Sequence, residues 1–308
     1  MHRLSVMIPL ALSGGLLMEI PAAAATPDGR GFPTPEAAAK ALISAATRGD
    51  KAELMAVLGA SAKEILSTSD HVADQRTRRM FVTRAAEKTK IVPDAHDPAA
   101  RTLLVGKDEW PLPIPLVRVN GKWYFDVEEG KDEILSRRIG GNELDAIEVC
   151  RGFVEAENDY AEQNHTGSAS RYAQKIISSP GMHDGLYWPS TGAADVSPMG
   201  DIVAKAFAEG YTKKSDPYRG YYFRVLTGQG PNAPGGEMSY FDNGEMTKGF
   251  ALIAWPSDYG VTGVMTFLVD KSGIVYQKDL GDKTAGIAGG TTAYNPDETW
   301  TPVTDTQP

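Results

Sequence analysis

Four of the five histidines lie beyond residue 25: His71, His96, His165 and His183. Imidazole exchanges protons near neutrality and is the commonest metal ligand, so the spacing of these residues matters. No two of them form an H-x-x-x-H pair, and none stands at ligand spacing from the single cysteine, Cys150. Neither a metal site nor a cofactor is expected from such a pattern. All four fall in expected loops. His183 differs in its surroundings, because Asp184 follows it directly and the string GLYWPSTG occupies 185–192. Tyr187 and Trp188 could wall a pocket beside a His183–Asp184 pair, which makes these two the candidate catalytic residues of a hydrolase with a non-standard site.

Carboxylates offer a second kind of chemistry. Glu128-Glu129 with Asp132-Glu133, and Glu155, Glu157 and Asp159, contain the residue types of glycoside hydrolysis. Residues 155, 157 and 159 are two apart and do not share a helix face. Glu155 and Asp159 do, but a solvated helix surface accounts for them. Asp242-Asn243-Gly244-Glu245 lacks the alternating acids of a calcium loop and reads as a β-turn. No G-x-S-x-G elbow, G-x-x-x-x-G-K-[ST] loop or G-x-G-x-x-G fingerprint is present. Gly228-Gln229-Gly230-Pro231 and Pro234-Gly235-Gly236 are loop punctuation, since no helix start follows them to complete a phosphate cradle.

Aromatic residues are the remaining chemical feature. Trp188, Tyr211, Tyr218, Tyr221, Tyr222, Phe223, Trp255 and Tyr259 crowd the C-terminal half. Strand residues alternate faces, so Tyr221 and Phe223 share one side while Tyr222 takes the other. One set must line a core. The other is free to stack on a sugar or a protein partner, and Trp188, Tyr218, Tyr222, Trp255 and Tyr259 are the binding candidates.

The elements that must position these groups follow from periodicity and caps. Thr34-Pro35-Glu36 opens a helix with Thr34 as N-cap and Pro at the first helical position, and the helix stops at Gly49. Asp50 caps a second helix carrying Leu54, Val57 and Leu58. Residues 72–88 form a third, with Met80 and Phe81 inward and Arg76, Arg78 and Arg79 outward. Strands follow at Leu103–Val105, Ile114–Val119 and Lys122–Val127, the last two joined by Asn120-Gly121, a strong hairpin signal. Pro111, Pro113 and Pro115 lack amide donors, which places that segment on a sheet edge or in a lead-in loop. A linking helix at 128–139 is expected to end at Gly140-Gly141. Asn142 then caps a longer helix, with Asp145 as its acidic third residue and a stripe of Leu144, Ile147, Cys150, Phe153, Val154 and Tyr160. A short helix at 201–209 and strands at Gly220–Leu226, Gly249–Trp255, Val264–Val269 and Ile274–Lys278 complete the pattern.

The fold class is therefore α+β, in two units. A linker at 26–33 leads into an N-terminal unit at 34–140, followed by a C-terminal unit at 141–290 and a polar tail at 291–308. Three resemblances bear on this. The strings WPLPIPLVRVNGKWYFDVEEGKDEILSRRIGGNELDAIEVCRGFVEAENDYA, YRGYYFRVLTGQGPNAPGG and GFALIAWPSDYGVTGVMTFLVDKSGIVYQKDLG resemble the domain-of-unknown-function 2950 family. That resemblance implies an exported bacterial protein and supplies no activity. The opening TPEAAAKALISAATRGDKAELMAVL and the hairpin PLVRVNGKWYFDV look like the cone-shaped NTF2-like folds. Over roughly 142–280 the helix and the Gly/Asp-turned strands are similar to type IV pilin-like globular heads. A pilin polymerises through an N-terminal apolar helix, and a whole unit stands in that place here.

Composition narrows the partners. A formal charge of −9 opposes nucleic acid and anionic membrane surfaces, both of which recruit basic proteins. Residues 1–25 read as a secretory signal: His2 and Arg3, an apolar run from Leu4 to Met18, and Ala23-Ala24-Ala25 as the small-residue cleavage site. A retained anchor is the competing reading, opposed by Gly14, Gly15 and Glu19 in a stretch short of the ~20 apolar residues that span a bilayer. No membrane span is expected after residue 25, and Cys150 has no internal disulfide partner. A periplasmic or secreted binding or scaffolding protein without catalysis is the leading expectation, with a glycan or protein as partner. An envelope hydrolase at His183 and Asp184, or an assembly partner of a pilus or secretion system, are the alternatives.

Overall fold

The structure is a computed structural model that describes residues 27–163, 171–192, 195–211 and 216–304. Residues 1–25, expected to be a secretory signal, and His165 lie outside the described residues. Helix α1 (Pro35–Arg48) begins as its sequence dictates: the Thr34 hydroxyl accepts from Ala37 N, and Gly49 closes the helix in the left-handed region. Asp50 caps α2 (Lys51–Leu58) by accepting from Glu53 N. A single 3₁₀ turn leads to the short α3 (Lys63–Leu66), and Asp70 caps α4 (His71–Glu87). His71 is thus the first residue of a helix and not a loop histidine. Met80 is 53% exposed, against the expectation that it faces inward. Phe81 and Val82 supply that contact, packing against the N-terminal cluster.

Strands β1 (Thr89–Pro93), β2 (Arg101–Val105), β3 (Trp110–Pro111), β4 (Leu116–Val119) and β5 (Lys122–Phe125) form an antiparallel sheet ordered β1-β2-β4-β5, with β3 paired to β2. The β4–β5 hairpin turns on Asn120 and Gly121, both at positive φ, as a type I′ turn requires. The proline segment takes the edge as expected, contributing Leu112 N to Leu103 O and, as an acceptor, Pro115 O to Asp126 N beyond the short β3. Phe32, Leu42, Leu54, Val57, Leu116 and Phe125 bury together between this sheet and α1–α2.

Helix α5 (Val127–Gln163) is the main departure from the sequence reading. It is one helix of 37 residues that runs through Gly140-Gly141 without interruption. Asn142 does not cap it. Its Nδ2 donates to Thr262 O at 2.8 Å, and Asp145 pairs with Arg219 at 3.0 Å. Glycine weakens a helix interior by about 1 kcal/mol relative to alanine, which tertiary contacts on either side readily offset. Leu144 is 69% exposed, so the buried stripe is Ala146, Val149, Cys150, Phe153, Ala156 and Tyr160.

After α6 (Gly200–Glu209), strand β6 (Tyr221–Leu226) leads into two small ribbons, β7 (Gly228–Gln229) with β8 (Met238–Ser239) and β9 (Phe241–Asp242) with β10 (Glu245–Met246). Strands β11 (Ala251–Pro256), β12 (Met265–Asp270), β13 (Tyr276–Asp279) and β14 (Thr301–Pro302) complete an antiparallel sheet ordered β14-β13-β12-β11-β6. Neither large sheet closes into a barrel, and the whole is a mixed α+β fold. Register puts Tyr221, Phe223, Ala254 and Phe267 on one face, where Phe153 of α5 meets Phe250 edge-on at 5.7 Å. Across the other face lies α7 (Thr284–Gly290), a helix the sequence did not signal, whose final carbonyls accept from Arg224. The segment from Thr291 is more than a polar wrap: Tyr294 is 2% exposed in the core and hydrogen-bonds Gly228 and Gly230.

Among the contacts that join the N-terminal elements to the C-terminal half, two groups centre on carboxylates that accept across the boundary. Asp70, 2% exposed, accepts from Tyr211 Oη at 2.9 Å and Gly220 N at 2.8 Å as well as from Ala73 N. Burial raises the Asp70 carboxyl above its ordinary value, against the pull of these three donors. Gly220 sits at φ +80°, and a Cβ there would lie 2.5 Å from Asn142 Nδ2, so only glycine fits. The second group is Asp258, which accepts from both Ser69 N and Ser69 Oγ at 2.7 Å.

Glu157 is fully buried on α5. One carboxylate oxygen accepts from Ala173 N at 2.8 Å, and the other has no partner among the described residues. Burial pushes this carboxyl from 4.5 up to about 8. The folded state therefore holds a proton there that the unfolded chain releases, and stability from this group is full below 4.5 and lost as pH rises through about 8. Glu157→Gln should remove this decline, on the order of a few kcal/mol, and raise Tm at pH 9 more than at pH 4 in calorimetry.

Candidate functional site

The loop-rich stretch between α5 and β6 carries the candidate catalytic pair, and the structure separates its members. Asp184 accepts from Ser179 N at 2.7 Å and Ser179 Oγ at 3.0 Å and pairs with Lys175 at 2.7 Å. Lys175 first, then the Ser179 donors, hold its carboxyl down to about 2. It is a structural anion that pins the 175–184 loop.

The carboxylate beside His183 is Asp195, which the sequence reading did not single out. Asp195 Oδ1 lies 3.6 Å from His183 Nε2 and accepts from the Trp188 indole N–H at 2.6 Å. Oδ2 accepts from Thr191 N at 2.9 Å and Thr191 Oγ1 at 2.7 Å. Thr191, hydroxyl first and then backbone, keeps this carboxyl below the usual range, with further help from Trp188. One acid thus satisfies both the indole and the backbone of Thr191, four residues before it. Its only sequence signal was a lone acid after a proline–serine–threonine–glycine run.

The imidazole of His183 stacks on the Trp188 indole at 4.3 Å and 19°. Tyr160 meets the same indole edge-on at 6.4 Å and donates its hydroxyl to His183 O at 2.7 Å. Trp188 is only 5% exposed, because His183 covers it from outside. A cavity of about 450 Å³ opens here, lined by Gln163, His183, Trp188, Thr191, Asp195 and Val196. Its wall is one stacked aromatic pair, one fixed anion and two neutral hydrogen-bonding side chains.

The other aromatic candidates are scattered. Tyr222 and Trp255 are half-buried cross-strand neighbours with ring centroids 5.7 Å apart, and the Arg224 guanidinium lies 5.4 Å from the Trp255 ring. Tyr218 packs on Tyr211 at 5.0 Å, next to the Asp70 junction. Tyr259 Oη, in the β11–β12 connection, donates to Asp279 at the end of β13 at 3.0 Å. Only Trp188 of the five shares a cavity with His183.

Residues 29–303 match the family model described as Protein of unknown function (DUF2950). The chain belongs to this family. No curated protein and no solved structure matches it. The DUF2950 model spans α1 through β14, so the cavity and the junction both lie inside the matched region. Among the described residues no group of three His, Cys, Asp or Glu side chains is placed to hold a metal ion, and no helix is long and apolar enough to cross a membrane. Cys150 is fully buried, and burial pushes its thiol up to about 12, which leaves it protonated and unreactive at neutral pH.

Asp195→Ala should uncouple the indole and the turn. A lower Tm and a red-shifted Trp188 emission are expected, whereas Asp184→Asn should lower Tm without moving the emission; steady-state fluorescence through a thermal ramp reads both.

Proposed function

We propose that this DUF2950 protein is an exported cell-envelope protein, periplasmic or secreted after loss of residues 1–25, that binds a ligand without transforming it. The observation that carries this reading is the state of the two acids next to His183. A general acid or base works best with a pKa near the operating pH. Asp184 is held down to about 2, and Asp195 is held below the ordinary range by three donors. Both are fixed anions, poorly suited to exchanging protons with a ligand, and of the two only Asp195 lines the cavity where it can orient one.

The ligand class follows from the wall. The exposed His183 imidazole, backed by the buried Trp188 indole and set beside Asp195, Gln163 and Thr191, combines a flat ring with convergent hydrogen-bonding groups, an arrangement suited to recognising a sugar ring. A glycan is therefore the favoured partner. A protein partner is the second reading, favoured by Val196, which lines the cavity and is 61% exposed, and by Met182, which precedes His183 and is 56% exposed. In architecture, we place an NTF2-like unit at 34–140 ahead of a pilin-head-like unit at 141–290, supported by the separate clusters around Leu116 and around Phe153.

Titration of residues 26–308 with envelope glycans and with peptides, read by calorimetry, tests this. Binding of a glycan that weakens at least tenfold in His183→Ala and Asp195→Asn, and is retained in Asp184→Asn, is the expected result. Turnover of the bound glycan would overturn the non-catalytic reading, and binding insensitive to both site variants would remove the cavity from it.

A further inference from the structure

Helix α5 belongs to both cores. Val127 and Ile134 pack in the N-terminal cluster, while Ala146, Cys150, Phe153 and Tyr160 pack in the C-terminal one. Its anchors change sides within a few residues. Arg138 donates to Glu64 O at 2.8 Å and Ile65 O at 2.7 Å, which fastens the helix to the N-terminal elements. Asn142 donates to Thr262 O, and Glu143 Oε1 accepts from Val264 N at 2.9 Å and Met265 N at 3.0 Å, which fastens it to the C-terminal sheet. Gly140 and Gly141 stand between the two sets of anchors.

Nothing steric explains these two glycines. Both are exposed, neither has a positive φ, and a Cβ built on either meets nothing within 4 Å. Alanine would fit and would strengthen the helix. What glycine supplies at such a place is backbone freedom. Beside the glycines, at the corner that Asn142 closes, the two halves meet through polar contacts from one segment: Ser69 to Asp258, Asp70 to Tyr211 and Gly220, and Arg76 to Glu209 at 3.8 Å. A cavity of about 480 Å³ lies in this seam, lined from one side by Glu64, Ser67, Ser69 and His71 and from the other by Asp258 and Val261. Polar seams with cavities are where domains move, whereas close-packed apolar cores resist it.

We propose that Gly140-Gly141 is a hinge about which the two cores part, opening the polar seam, with the Ser69–Asp258 and Asp70 contacts as its latch. The motion is a rigid-body swing with both cores intact, and it is separate from the ligand cavity at His183.

Spin labels at exposed Lys40→Cys and Lys271→Cys, one on each side, report the distance by pulsed electron resonance; the buried Cys150 thiol does not label. The expected distribution has a minor long-distance population that grows at least threefold when the latch is weakened by Ser69→Ala, and again in Asp258→Asn. Gly140→Ala with Gly141→Ala should suppress that population in the same background. Ser69→Ala removes one hydroxyl at an exposed contact, so it provides a folded latch variant even if Asp258→Asn unfolds; a native far-ultraviolet spectrum checks this. A single narrow distance in the parent, Ser69→Ala and double-alanine chains, all with native spectra, would overturn the hinge.

Discussion

A carboxylate taken out of water is costly unless the protein surrounds it with donors, and Asp70 is the place where this chain accepts that constraint. Its oxygens cap α4, receive the Tyr211 hydroxyl and hold the backbone of Gly220 at the entrance to β6. One side chain thereby sets where a helix starts, where a loop ends and how the second sheet is approached. The neighbouring requirements follow from it. Gly220 must lack a side chain because Asn142 and Thr262 close against it, and Asn142 in turn fixes α5 to the same corner. Arg219, adjacent to Gly220, reaches both Asp145 and Glu209 and neutralises the surplus of negative charge that gathers around the corner.

Much of this architecture is written in local signals. Thr34, Asp50 and Asn120-Gly121 act through neighbours two or three residues away, and each does in the structure what its position in the chain indicates. Long-range effects are harder to read. Asn142 has the type and position of a cap but spends its amide on Thr262, 120 residues away, and Gly140-Gly141 looks like a stop although the anchors on both sides keep the helix whole. Leu144 keeps helical spacing with the buried stripe yet faces solvent, because the sheet covers a narrower arc than the periodicity allows. Helix α7, rich in Gly and Ala, carries no amphipathic signal, and Arg224 stabilises it from a strand some 64 residues away.

The candidate site shows the same division. His183 and Trp188 were legible as a chemical type beside an aromatic wall, and they do meet, ring on ring. Which acid joins them was not legible. Asp184 is adjacent in sequence, but the 175–184 loop turns its carboxylate toward Lys175 and Ser179; Asp195, twelve residues from His183, returns through the Thr191 turn. The aromatic residues spread over β6 and β11 lie away from this cavity, with Arg224 over Trp255.

Tyr294 and β14 give the fold a temporal property. The core around Phe250 and Phe267 includes Tyr294, and the sheet gains its last strand only from Thr301–Pro302. A sheet built from segments distant in the chain forms slowly, because loop closure must come before the pairing that rewards it. The C-terminal half therefore stays incomplete until Tyr294 has docked and Thr301–Pro302 has paired. Until then β13 presents an uncovered edge, a template that any extended strand could occupy in place of β14.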